Sequence, residues 1–145
     1  MRDHQDQVIF EAIKPLAFAV RQILERYSRS HNDAMFENFP KGTCGPTAEL
    51  LGRYLLESAG MQAGYVGGER PGGITHAWVD VKGIVVDITA DQFGQAPVIV
   101  TRHSPWHEAW AQEAPRPPIC RQDQWPAYPF AAWQAIVDGM RERKL

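Results

Sequence analysis

The chain has only two cysteines, Cys44 and Cys120, among its 145 residues, too few for a disulfide framework. Reduced thiols of a cytoplasmic protein are the expected state. There is little charge imbalance: 15 Lys and Arg against 17 Asp and Glu leave a formal net charge of −2. That is no footprint for nucleic acid, whose backbone calls for clustered cations. No apolar run reaches membrane-spanning length, and acids before, and a Glu and a Lys within, the N-terminal apolar segment leave no signal-peptide core. Neither nucleic acid nor membrane is an expected partner. The Gly-rich GGERPGG lacks the Gly-Lys-Ser/Thr ending of a phosphate cradle, and no HExxH or paired CxxC occurs, so no cofactor is called for.

What is present suits one soluble domain spanning residues 1–145: 44% hydrophobic and 22% charged residues, enough for a single core. From Gln5 to Tyr27, Val8, Ile9, Ile13, Leu16, Ala17, Val20, Ile23 and Leu24 recur at helical spacing, with Pro15 expected to kink or break the helix. SRSHNDAMFENFPKGT reads as a polar loop. A second helix, CGPTAELLGRYLLESAG, has Pro46 in its first turn, Glu49 favouring its dipole, a buried stripe of Leu50, Leu51, Tyr54 and Leu55, and Gly60 as its stop. GYVGG, ITHAWVDV, GIVVDITA and APVIVTR read as strands. SPWHEAWAQEA reads as a short helix or irregular segment, PRPPIC as an extended connection, and AYPFAAWQAIVDGMRERKL as a C-terminal amphipathic helix with a basic end.

The hairpin ITHAWVDVKGIVVDIT settles its own register. Pairing Val81 with Ile84 and Val79 with Val86 places Ala77, Val79, Val81, Ile84, Val86, Ile88 and Ala90 on one apolar surface. The other surface carries His76, Trp78, Asp80, Val85, Asp87 and Thr89, with His76 diagonal to Asp87 at roughly 7 Å. Slipping by one residue would bury Asp87 among the apolar side chains, a cost of several kcal/mol. The strands turn around Lys82-Gly83; because this is not an ideal type I′ pair, a four-residue loop of the same register or a bulge stands as the alternative.

A carboxylate that fixes a histidine tautomer is what a catalytic base needs, although an ordinary strand pair would look the same. Cys44 adds the missing group. Its position just before Gly45-Pro46 places the thiol at a helix N-terminus, where converging N–H groups favour an anion. Cys120, in PPICRQ, has no such setting and reads as a structural or surface thiol. In chain order, a thiol, a base and an orienting acid are the three roles of an activated nucleophile.

This set, together with the phrase HAWVDVKGIVVDIT, resembles the papain-like superfamily, most closely its transglutaminase-like branch, over roughly residues 38 to 93. The resemblance implies an α+β fold with helices packed on a small antiparallel sheet. It also implies a cysteine-dependent hydrolase or acyltransferase acting on an amide of a peptide or protein substrate, whether as protease, deamidase or transamidase. Cys44, His76 and Asp87 would be catalytic. Asn38 and Gln92 are candidates for the second oxyanion donor beside the Cys44 N–H, and Trp78, Thr43 and Gly45 are candidates for the substrate cleft. Asp80 and Asp91 read as solvated or turn residues. Two other readings stand beside this one. One is a catalytically inactive binding module on the same fold. The other is a zinc centre built on His103 and His107, against which Pro105 interrupts a regular helical face.

Overall fold

The computed structural model describes residues 4–143; the last helix carries Arg141 and Arg143 in its final turn, the basic end the sequence suggested, and Lys144 lies outside the described residues. The order of elements is α1 (His4–Ser30), α2 (Cys44–Arg53), β1 (Ala63–Arg70), β2 (Ile74–Val81), β3 (Ile84–Asp87), β4 (Ile99–Thr101), α3 (Pro105–Glu108), β5 (Ala111–Gln112) and α4 (Phe130–Arg143). Among the described residues the architecture is α+β: four α-helices and a five-stranded antiparallel sheet in the order β4-β3-β2-β1-β5. None of the described helices is long and apolar enough to cross a membrane.

α1 is continuous through Pro15, where the sequence suggested a kink or a break. Pro15 lies on the exposed side, while Ile13, Val20 and Leu24 are completely buried. A proline inside a helix costs about 3 kcal/mol; burial of each such side chain returns about 1.5–3 kcal/mol, so the apolar stripe outweighs the lost backbone bond. α2 begins at Cys44 with Pro46 in its first turn and runs on through one π-helical turn, Tyr54–Ser58, before Gly60. Leu50, Leu51 and Leu55 are buried as the stripe requires, and Tyr54 is half-buried. Glu49 departs from its expected part as a dipole partner. It is buried and held by Nη1 and Nη2 of Arg116, at 3.2 and 2.7 Å, and by the Ile119 N–H at 2.8 Å.

The hairpin adopts the anticipated register, Val79 with Val86 and Val81 with Ile84. The Lys82-Gly83 turn forms as two residues, without the longer loop or bulge that stood as its alternatives. Lys82 and Gly83 have φ of 51° and 87°, the paired left-handed conformation of a type I′ turn, and Asp80 Oδ2 accepts the Gly83 N–H at 3.4 Å. The apolar surface, Ala77 to Ile88, joins the helices in the main core. A second cluster centres on Val66, Trp78 and Trp110 with Val85, Phe93 and Trp106 against them. The two clusters divide the strand residues by parity, as alternating side chains must. Gly68, in β1, packs closely on the second: a Cβ there would stand 3.0 Å from Trp110 Cβ and 3.1 Å from Trp78, tighter than ordinary contact.

The segment read as a polar loop contains Phe36, which is fully buried. Its ring meets Tyr27 edge-on at 5.9 Å, and Asp33 fixes the turn by accepting the Tyr27 hydroxyl at 2.6 Å and the Met35 N–H at 3.0 Å. Phe36→Ala should cost about 3–5 kcal/mol, read from the urea midpoint. A loss under about 1 kcal/mol would show that this loop does not close over the core in solution.

Candidate active site

Cys44 is the first residue of α2, so its N–H has no intrahelical acceptor. The preceding residue is fastened: Thr43 is buried and its hydroxyl donates to Pro40 O at 2.8 Å, while its carbonyl accepts the Thr47 N–H at 2.9 Å. Thr43 therefore serves the helix start and does not line the cleft. The cleft beside Cys44, about 470 Å3, is lined by Gly45, Tyr65, His76, Glu113 and Arg116 among others. Gly45 occupies the expected place.

His76 lies beyond the last β2–β3 pair, and its Nε2 stands 2.7 Å from Asp87 Oδ2. Both side chains are almost fully buried. Burial alone would push the imidazole down; hydrogen bonding to Asp87 and to the Cys44 thiol, with the charges of both, raises it instead to about 9. Nδ1 is buried and without a well-aligned partner. The thiol is thus near enough to act on the ring while its alignment is loose.

Trp78, also expected in the cleft, is buried instead. Its ring centroid lies 5.6 Å from that of His76, and Phe93, Trp106 and Trp110 complete an aromatic wall around the imidazole at 5.1 to 5.7 Å. The wall lowers the local polarity and so strengthens the ion pair inside it.

Asp87 has more partners than the sequence suggested. Oδ1 accepts the Thr89 N–H at 3.0 Å. Oδ2 is shared by His76 and by His107 Nε2, each at 2.7 Å. His107, at the end of the short helix α3, is as buried as Asp87, and its Nδ1 meets Ser104 Oγ at 2.5 Å. Burial would lift the carboxyl, but the hydrogen bonds from His107 and then His76 hold it below its ordinary value.

His103 and His107 do not come together in one metal-type group among the described residues. His103 is exposed and faces Glu108 Oε2 at 3.8 Å. Among the described residues, the metal-type side chains that converge are His76, Asp87 and His107, within 4.8 Å of one another. Two donors of a tetrahedral zinc stand about 3.3 Å apart around bonds of about 2.0–2.1 Å. Here both rings stand 2.7 Å from one carboxylate oxygen, the distance of charge-assisted hydrogen bonds.

The two oxyanion candidates lie elsewhere. Asn38 is exposed in the turn where its carbonyl accepts the Lys41 N–H, and it is not a lining residue of the cleft. Gln92 is occupied at both ends: Oε1 accepts the Gly42 N–H at 3.4 Å and Nε2 donates to Thr89 O at 3.1 Å. It clips the loop before Cys44 to the segment after Asp87. Asp91 is likewise structural, paired bidentately with buried Arg21 at 2.8 Å.

Tyr65, which the sequence did not single out, lines the cleft opposite Gly45, with its hydroxyl 3.6 Å from where a Cβ on Gly45 would lie. The hydroxyl makes no hydrogen bond to the described residues. Burial and the nearby charges of Glu49 and Cys44 push its ionisation upward, so it keeps its proton. Its ring is clamped by the Arg116 guanidinium at 3.9 Å and by paired backbone bonds to Arg116 at 2.6 and 3.0 Å.

No family model, curated protein or solved structure matches this chain. What the site can do follows from its atoms: a thiol at a helix head, a buried imidazole fixed by a carboxylate, and an open cleft with a free N–H and a free hydroxyl at its edge.

Proposed function

We propose that the chain is a cysteine-dependent amide hydrolase or acyltransferase of the papain-like, transglutaminase-like type, acting on a peptide or protein substrate. The convergence of Cys44, His76 and Asp87 at the cleft carries this reading. Cys44 Sγ, its proton already resting on His76 Nδ1 as a thiolate–imidazolium pair, attacks the amide carbonyl carbon. The oxyanion accepts hydrogen bonds from the Cys44 N–H and the Tyr65 hydroxyl. The imidazolium then protonates the departing amine, leaving a thioester on Cys44. Water or a second amine resolves it, which distinguishes hydrolysis from acyl transfer.

Alkylation tests the reading. Iodoacetamide at about pH 6 should modify Cys44 at least about tenfold faster than Cys120, because the imidazolium of His76 faces only the former, while burial and the charge of Glu57 push the Cys120 thiol upward. Equal, slow alkylation of both, measured by mass spectrometry of peptides, would leave a non-catalytic binding module.

A further inference from the structure

His107 contributes nothing to the attack, yet it occupies the same carboxylate oxygen as the catalytic imidazole, at the same 2.7 Å. A lone buried carboxylate beside an imidazolium would hold that ring's proton very firmly, and a base that must hand its proton to a leaving amine works best when the proton is not held too firmly. A second N–H on Oδ2 draws off part of the charge.

The second donor is itself built to stay in place. Ser104 caps α3: it accepts the His107 backbone N–H at 3.3 Å, and its hydroxyl is in contact with Nδ1, which leaves Nε2 to carry the hydrogen toward Asp87. Pro105 at the first helical position and the bond from Gln112 Nε2 to His107 O at 2.8 Å fix the turn. Trp78 and Trp106 meet the ring edge-on at 4.7 and 4.8 Å.

We infer that His107 is a positioning residue of this site: its Nε2–H, held by Ser104, shares Asp87 Oδ2 with His76 and limits how strongly the carboxylate retains the proton of the catalytic imidazole. The inference rests on the proposed role of His76 as the base. The groups that act on this chain are Cys44 from α2, His76 from β2, the Thr89 N–H after β3, Ser104 before α3, and Arg70 of β1, whose guanidinium stacks on Trp110 at 3.9 Å.

Two substitutions separate donation from packing. His107→Phe keeps a ring against Trp78 and Trp106 and removes the donor; His107→Gln gives up the ring and keeps an N–H for Oδ2. The His76 titration midpoint, followed by NMR of the nitrogen-15-labelled full chain, should rise by about half to one pH unit in His107→Phe, a three- to tenfold tighter hold on the proton, and stay near the wild-type value in His107→Gln. Acylation of Cys44 by p-nitrophenyl acetate should fall in the first variant and not in the second. An unmoved or lowered midpoint in His107→Phe, or an equal shift in both, would overturn the inference. Should His107→Phe not fold, Ser104→Ala is expected to give a smaller rise of the same sign, and no rise there overturns it equally. If Cys44 of the wild type is inert while the midpoints move as stated, the enzymatic reading falls and the role of His107 stands.

Discussion

Asp87→Asn should slow acylation of Cys44 by p-nitrophenyl acetate by roughly a thousand- to ten-thousand-fold. Both Oδ2 contacts are with imidazole Nε2 atoms, and Oδ1 accepts the Thr89 N–H. An asparagine cannot satisfy that set. If its NH2 takes the Oδ2 position, it confronts two N–H donors, and His76 must move its proton to Nδ1, the atom needed to receive the thiol proton. If the NH2 takes the Oδ1 position, it confronts the Thr89 N–H. In either orientation a buried donor faces a donor, at a cost of about 1–3 kcal/mol. The negative charge that stabilises the imidazolium is lost as well.

The pH dependence of stability gives a second reading of the same substitution. Asp87 is held below its ordinary 3.8, so its contribution is whole above that value and is lost as pH falls through the lower folded one. His76 is raised from 6.5 to about 9, so its contribution is whole below 6.5 and is lost as pH rises toward 9. The wild type should therefore be most resistant to thermal unfolding between those limits, about pH 4 to 6.5, and the variant should show a flatter profile. A variant that keeps wild-type acylation would remove Asp87 from the site.

The hairpin was legible because its information is local. Alternation along Ala77 to Ala90 admits one register, and that register places His76 beside Asp87 before any tertiary contact is considered. Cys44 was legible for a similar reason, since Gly45-Pro46 marks a helix start. The rest depended on contacts between distant segments. His107 reaches Asp87 across twenty residues, and in HSPWH its spacing from His103 suggested a partner that turns out to face solvent. The one local signal was Ser104-Pro105, an N-cap followed by a first-turn proline, which fixes where α3 begins but not what its third residue touches. Phe36 was hidden by its polar neighbours, because loop composition says nothing about a single side chain that turns inward. β5 is two residues long and pairs only where Ala111 and Gln112 meet β1, too short for any periodicity to show.

Tyr65→Phe should lower acylation about a hundred-fold or more, the usual consequence of removing one oxyanion donor, with little change in folding stability. The two expectations separate because different atoms serve them. The fold uses the ring and the backbone: Arg116 stacks on the face at 3.9 Å and is itself held by buried Glu49, while the backbone of Tyr65 exchanges two hydrogen bonds with Arg116. Phenylalanine preserves all of these. The hydroxyl has no partner among the described residues, so its removal leaves nothing unsatisfied in the resting protein. Its removal matters when a negative oxygen forms above Cys44, where the Cys44 N–H would be left as the single donor. Rates of iodoacetamide alkylation, which form no oxyanion, should stay near wild type in this variant. Loss of acylation with retained alkylation would assign the hydroxyl to the transition state. Parallel loss of both would mean that Tyr65 instead shapes the thiol's surroundings, and wild-type acylation would return the second donor to some other group lining the cleft.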